Sequence, residues 1–118
     1  MDTMLNPREE EIMRILWKLQ KAFVKDILAA MDPPPPPYNT VSSIVRKLEA
    51  EGLIGHTAYG NTHQYYPILQ KKQYRKWSFE RLFNHYFDRS PEALMSFFLN
   101  EESLDPENLE EIIRKLKK

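Results

Sequence analysis

Tyr38-Asn-Thr-Val-Ser-Ser-Ile-Val-Arg-Lys-Leu-Glu-Ala-Glu-Gly-Leu-Ile54 reads as one helix with two unlike faces. At a helical turn of about 100° per residue, Val41, Ile44, Val45 and Leu48 share one side, with Asn39, Ser43 and Arg46 opposite and Ser42 and Lys47 at the edges. Asn39 is a favoured N-cap, and Gly52 followed by Leu53 suits a Schellman stop. A purely solvated face usually carries long Glu and Lys side chains. A face that opens with Asn39, Thr40, Ser42 and Ser43 and adds Arg46 one turn on is short enough to lie against another surface. It has the composition of a recognition helix in a DNA major groove, although an ordinary amphipathic helix would share its periodicity.

The neighbours decide between these readings. Asn6-Pro7-Arg8-Glu9 opens a preceding helix with a cap, proline at the first helical position and an acid three residues after the cap. Glu9, Glu10 and Glu11 also suit the positive end of the helix dipole. Ile12, Ile15, Leu16 and Leu19 share a face with Met13 beside it, and Trp17 lies well away, where it packs outside the first core layer. Gln20 to Ala22 form a break. Phe23 to Met31 give a short second helix with Phe23, Ile27, Leu28 and Met31 as apolar positions. Pro33 to Pro37 cannot be helix or central strand and read as a stiff polyproline loop. After Gly52, aromatic and β-branched residues flank Gly60-Asn61, an accepted two-residue hairpin turn. Helix, turn, polar-faced helix and hairpin, in that order, predict a mainly α winged helix-turn-helix whose hairpin is the wing.

From Lys71 the composition changes. Lys71, Lys72, Arg75 and Lys76 form a basic cluster, followed by Trp77, Phe79, Leu82, Phe83, Tyr86 and Phe87 on a helix expected to end near Asp88. Ser90-Pro91-Glu92 starts a helix carrying Leu94, Met95, Phe97, Phe98 and Leu99. Asp105-Pro106-Glu107 starts a last one with Leu109, Ile112, Ile113 and Leu116 in one stripe and helix-spaced pairs Glu110 with Arg114 and Glu111 with Lys115. Three short helices cannot bury that much apolar surface among themselves, so a second copy of the chain is expected to cover it, with a single larger monomeric core as the alternative. The division is expected at 1–69 for the winged helix and 70–118 for a helical dimerisation domain.

With 118 residues the chain suits one domain, or a small domain with an oligomerisation arm. Its formal net charge is zero, so any nucleic-acid surface must come from local placement of Lys and Arg rather than bulk charge. Neutrality also keeps open a different class of function, a winged-helix protein-interaction module that never meets DNA. No Cys is present, which excludes disulfides, thiolate metal sites and thiol nucleophiles. A signal peptide and a bilayer-spanning apolar run are both lacking, so a cytoplasmic protein without direct membrane association is expected. There is no glycine-rich phosphate loop, nucleophile elbow or His-Glu pair at metal spacing. His56 and His63 could face each other across the hairpin, but two imidazoles alone make a poor metal site, and His85 sits among core or interface aromatics. Neither an enzyme, a metal nor a cofactor is expected.

Leu5-Asn6 with Glu9 to Trp17, Asn39-Thr40-Val41 through Arg46-Lys47-Leu48 to Gly52-Leu53-Ile54, and Gly60 with Tyr65-Tyr66-Pro67 together resemble the penicillinase repressor family, which includes the β-lactamase and methicillin-resistance repressors. The resemblance covers nearly the whole chain. It implies a dimeric winged-helix repressor that binds a palindromic operator and dimerises through its C-terminal helices. In antibiotic-responsive relatives, cleavage of that arm at an Asn-Phe bond, set off by a membrane-bound sensor protease, releases the DNA. The most similar bond here is Ser96-Phe97, without the Asn. Copper-responsive relatives use a C-terminal cysteine cluster, which this chain lacks. The wing has Asn61 where an Arg is common, and the proline run is a further departure. The expected DNA contacts are Asn39, Thr40, Ser42, Ser43 and Arg46 toward bases or nearby phosphates, Lys47 toward phosphate, and Tyr59, Asn61, Thr62 and His63 on the wing. The expected dimer contacts are Trp77, Phe79, Phe83, Phe87, Phe97, Phe98, Leu109, Ile112, Ile113 and Leu116.

Overall fold

A computed structural model describes residues 4–100 together with Glu107 and Glu110. Helices α1 (Pro7–Leu19), α2 (Val24–Ala30) and α3 (Tyr38–Ala50) precede a hairpin of β1 (Ile54–Tyr59) and β2 (Thr62–Pro67), after which come α4 (Lys71–Tyr86) and α5 (Pro91–Asn100). This is a mainly α winged helix-turn-helix. The last expected helix, with Leu109, Ile112, Ile113 and Leu116 and the pairs Glu110–Arg114 and Glu111–Lys115, lies outside the described residues.

The capping signals act where the sequence puts them for α1 and for the end of α3. Asn6 Oδ1 accepts from the Glu9 backbone N–H at 2.8 Å, and the Asn6 N–H donates to Glu9 Oε1 at 2.9 Å, closing a capping box. At the end of α3, the Leu53 N–H reaches the Leu48 carbonyl at 3.0 Å and the Gly52 N–H reaches that of Glu49 at 2.9 Å. Gly52 takes φ +79°, the left-handed conformation that this Schellman stop requires. The start of α3 departs from expectation. Pro37, not Asn39, stands at the cap, because its extended backbone (φ −59°, ψ 151°) stops the helix there while its carbonyl accepts from the Thr40 and Val41 N–H groups. Asn39 is therefore inside the first turn, with an exposed side chain. Helix α2 is also shorter than expected. Phe23 and Met31 flank it, and the Phe23 N–H donates to Asp26 Oδ2 at 2.9 Å.

The core of the first compact unit, which ends at Arg75, is Ile12, Met13 and Leu16 of α1, Ile27 of α2, Val41, Val45 and Leu48 of α3, and Ile54 of β1, all fully buried. The buried stripe of α1 thus centres on Met13, while Ile15 is half-buried and Leu19 exposed. A third strand-like contact has no signal in the sequence pattern. Ala22, in the break after α1, exchanges both backbone hydrogen bonds with Tyr65 of β2, at 2.9 and 2.8 Å, which fastens the hairpin to the helices. Trp17 packs as expected outside the first layer, its indole N–H donating to the Leu69 carbonyl at 2.8 Å and its ring 5.8 Å from Tyr74. Tyr74 is buried and its hydroxyl meets Glu10 at 3.2 Å, so the first turns of α4 belong to this unit, past the expected limit at Leu69.

From Lys76 a second unit holds the rest of α4 and α5. α4 ends at Tyr86, and Asp88 and Arg89, both with positive φ, make the turn before the chain resumes as α5. Ser90 caps α5 as predicted, its Oγ accepting from the Ala93 N–H at 3.1 Å with Pro91 at the first position. Phe87 meets Phe97 edge-on at 5.5 Å, and Phe79 stacks on Phe83 at 6.0 Å. None of the described residues of this unit is buried.

Among the described residues Glu9 is the one buried charged group, at 4% exposure, and its second oxygen accepts from Lys47 Nζ of α3 at 3.0 Å. Burial by itself would raise its carboxyl, but the Asn6 N–H and Lys47 overcome this and hold it below the usual value of 4.5. A depressed carboxyl contributes stability that is present above pH 4.5 and lost as pH falls through the folded-state value. Glu9→Gln is therefore expected to flatten the acid limb of unfolding free energy against pH below 4.5, and Glu9→Ala to lower stability at neutral pH by about 1–3 kcal/mol in urea denaturation.

Candidate nucleic-acid interface

With Val41, Val45 and Leu48 turned into the core, α3 must present its opposite side outward. Asn39, Thr40, Ser43 and Arg46 are exposed and Ser42 is half-buried. Lys47 is exposed too, but its ammonium is engaged, 3.0 Å from Glu9 and 4.0 Å from Glu51, and Glu9 raises its ionisation range. It is a strut between α1 and α3 as well as a surface cation. In the sequence Glu9 reads as the acid of the α1 cap and a partner of the helix dipole, since nothing in local spacing announces a contact 38 residues away.

The wing has the predicted two-residue turn. Tyr59 pairs with Thr62, and Gly60 alone of the two turn residues has positive φ, at +63°, as a type II′ turn requires. Lower down, Gly55 lies under the Tyr66 ring, where an added Cβ would meet the Tyr66 hydroxyl at 2.7 Å. Tyr59, Asn61 and Thr62 are exposed and His63 is half-buried. His56 and His63 do not face each other in register: His56 pairs with Tyr65, and His63 with Ala58. They meet diagonally instead, their rings stacked at 4.0 Å and 5° from parallel, and His56 Nδ1 contacts Glu49 of α3. Among the described residues no group of three metal-ligating side chains is assembled.

Three elements converge on one groove of about 420 Å³. It brings the predicted Ser42 and Arg46 of α3 together with the predicted Asn61, Thr62 and His63 of the wing, over the rings of Phe23 and Tyr65. Asn39, Thr40, Ser43, Lys47 and Tyr59 do not line it. Tyr59 instead meets Phe23 edge-on at 6.0 Å, tying the wing to the start of α2. Burial, with the Glu49 charge adding to it, pushes the Tyr65 phenol up and keeps it neutral. Lys25 and Tyr38, which also line the groove, are not legible as site residues. Lys25 carries no pattern signal on its short helix, and Tyr38 stands before the expected cap at Asn39.

Such a surface can do two things. Short hydroxyl and amide side chains on a protruding helix can approach base edges, and Arg46 and the wing can bond phosphates beside it. Among the described residues no helix is long and apolar enough to cross a membrane. The family model for the penicillinase repressor matches residues 5–118, and no curated protein matches the chain. The chain therefore belongs to the penicillinase repressor family, whose members are regulatory DNA-binding repressors rather than enzymes.

If the Phe23–Tyr59 contact sets the wing's position, a double-mutant cycle of Phe23→Leu and Tyr59→Leu in chemical denaturation should give a coupling of about 0.5–1.5 kcal/mol. A coupling of zero would leave the wing's placement to the Ala22–Tyr65 bridge and the Glu49–His56 contact.

Proposed function

We propose that this member of the penicillinase repressor family is a homodimer that occupies a palindromic operator and blocks transcription, and that it is released when its C-terminal arm is disrupted. The observation that carries the reading is the convergence of the polar face of α3 and the wing tip on one groove, with Ser42 and Arg46 beside Asn61, Thr62 and His63. In this reading α3 enters the major groove. Asn39, Thr40, Ser42, Ser43 and Arg46 face bases or adjoining phosphates, Lys47 supports α3 through Glu9 and adds a phosphate contact, and the wing from Tyr59 to His63 follows the backbone.

Exposed rings support the dimer. Phe79, Phe97 and Met95 are 51%, 42% and 51% exposed, and Leu82, Tyr86 and Leu99 are exposed beside them. A single chain seldom leaves so many large apolar groups on one short segment uncovered. Trp77, Phe83, Phe87 and Phe98 are half-buried and complete the proposed interface. The limit between the two parts is then better drawn at Arg75 than at Leu69, because Tyr74 is buried with the winged helix. Two joined winged helices would bind half-sites about one helical turn apart, roughly 34–36 Å, and the second contact becomes intramolecular, a gain of roughly 10² to 10⁴ in affinity. Cleavage at Ser96-Phe97 would forfeit that gain by shortening the arm. Both residues lie within α5 and are exposed, so a protease must locally open the helix to reach the bond.

Two outcomes test this. Arg46→Ala should weaken binding to a duplex from the protein's own upstream region by about 1–3 kcal/mol in a gel-shift titration and relax preference at one base pair; unchanged affinity would remove α3 from the DNA. A chain ending at Arg75 should keep its helical circular dichroism, sediment as a monomer while the full chain sediments as a dimer, and lose most full-operator affinity. A dimeric fragment would place the interface in the winged helix.

A further inference from the structure

Resting on the DNA-binding reading above, we infer that the groove between α2, α3 and the wing seats the sugar-phosphate backbone of duplex DNA and that Lys25 is the residue that grips a phosphate there. Charge sets the groove apart. Residues 1–69 carry seven Lys and Arg against eight Asp and Glu, so this half of the chain has no general attraction for a polyanion. The groove differs from its surroundings: Lys25 and Arg46 line it, and no carboxylate does. A second groove of similar size, about 400 Å³, shows the contrast, for there Arg14 and Lys18 stand beside Glu11 and Asp32.

The two cations are also unspent. Arg8, Arg14 and Lys47 are each within 4.0 Å of a carboxylate, whereas among the described residues Lys25 and Arg46, like Lys18 and Lys21 outside the groove, have no ion pair. Arg46 Nε donates to the Ser42 carbonyl at 3.3 Å, which leaves its terminal nitrogens to a ligand. Glu49, whose charge reaches Tyr65 in the groove, is itself engaged by His56. Ser42, Asn61 and Thr62 add hydroxyl and amide donors of the kind that bond phosphate oxygens. The groove is open rather than enclosed, and its lining from α3, Ser42 and the exposed Arg46, includes part of that helix's polar side. An extended phosphodiester fits that shape better than an enclosed small molecule. Lys25, at the α2 edge, then meets the backbone flanking the major groove that α3 enters, and adds affinity without reading sequence.

The test uses the full-length protein, a duplex from its own upstream region and binding constants measured across a monovalent salt series. Removing one phosphate-binding cation lowers the slope of log K against log salt by roughly 0.9. Lys25→Gln should therefore bind about eightfold more weakly at roughly 0.1 M salt, converge with the parent toward about 1 M, and keep the same base preferences. Lys18→Gln, outside the groove, should leave the slope unchanged. Inorganic phosphate at constant ionic strength should not displace the duplex. An unchanged slope for Lys25→Gln while the parent binds DNA would overturn the groove assignment alone. So would an equal weakening for Lys18→Gln, which would reduce the effect to long-range charge, or displacement by phosphate, which would mark a small-anion site. A parent protein that binds no duplex at low salt would overturn the DNA-binding reading itself.

Discussion

A single buried carboxylate connects the start of the chain to the helix that faces outward. Glu9 closes the capping box of α1 through Asn6 and at the same time accepts from Lys47, in the second half of α3. Charged groups are seldom buried unless paired, and here the pairing has a geometric consequence. Lys47 sits at the border between the core side of α3 and its polar side. Holding its ammonium at α1 fixes the rotation of α3 about its own axis, so that Val41, Val45 and Leu48 stay inside and Asn39, Ser43 and Arg46 stay out. The hydrophobic contacts supply most of the stability, but they are not directional; the ion pair is.

The wing is placed by a comparable division of labour. Ala22 and Tyr65 bond it backbone to backbone at its base, Phe23 and Tyr59 meet near its tip, and Glu49 reaches across from α3 to His56. Held by three contacts on two rungs, since His56 and Tyr65 are register partners, the hairpin keeps Asn61, Thr62 and His63 next to Arg46. A neutral chain can thereby gather a local cationic surface where bulk charge offers none. The resulting affinity should respond to salt through few contacts.

Elements are legible wherever local chemistry alone sets them. The Asn6 cap, the Gly52 stop, the Gly60-Asn61 turn and the Ser90 cap each depend on residues within one turn of each other, and each stands where the pattern puts it. The local exceptions are the ends of α2, where Phe23 and Met31 fall outside the helix, and the start of α3, where the proline run hands its last carbonyl to the helix and so displaces Asn39 as cap. Long-range features are hidden for a different reason. The Glu9–Lys47 pair, the Ala22–Tyr65 bridge and the diagonal His56–His63 stack arise only when the elements pack, and a register offset of two residues along a hairpin leaves no trace in periodicity. The half of the proposed site on α3 and the wing is readable from its polar composition. Lys25 is not, since an exposed Lys on a short helix looks the same whether or not a groove forms beside it.

The outer side of α3 and the wing are proposed to form one DNA-facing surface, and everything else in the functional reading depends on that. Amide chemical-shift mapping by nuclear magnetic resonance, during titration of the full chain with a duplex from its upstream region, tests this most directly. The largest changes are expected at Asn39 to Arg46 and at Tyr59 to His63, with little change around Lys18 and Asp32 on the other groove. Changes concentrated on α1 and α4, with α3 and the wing silent, would contradict it.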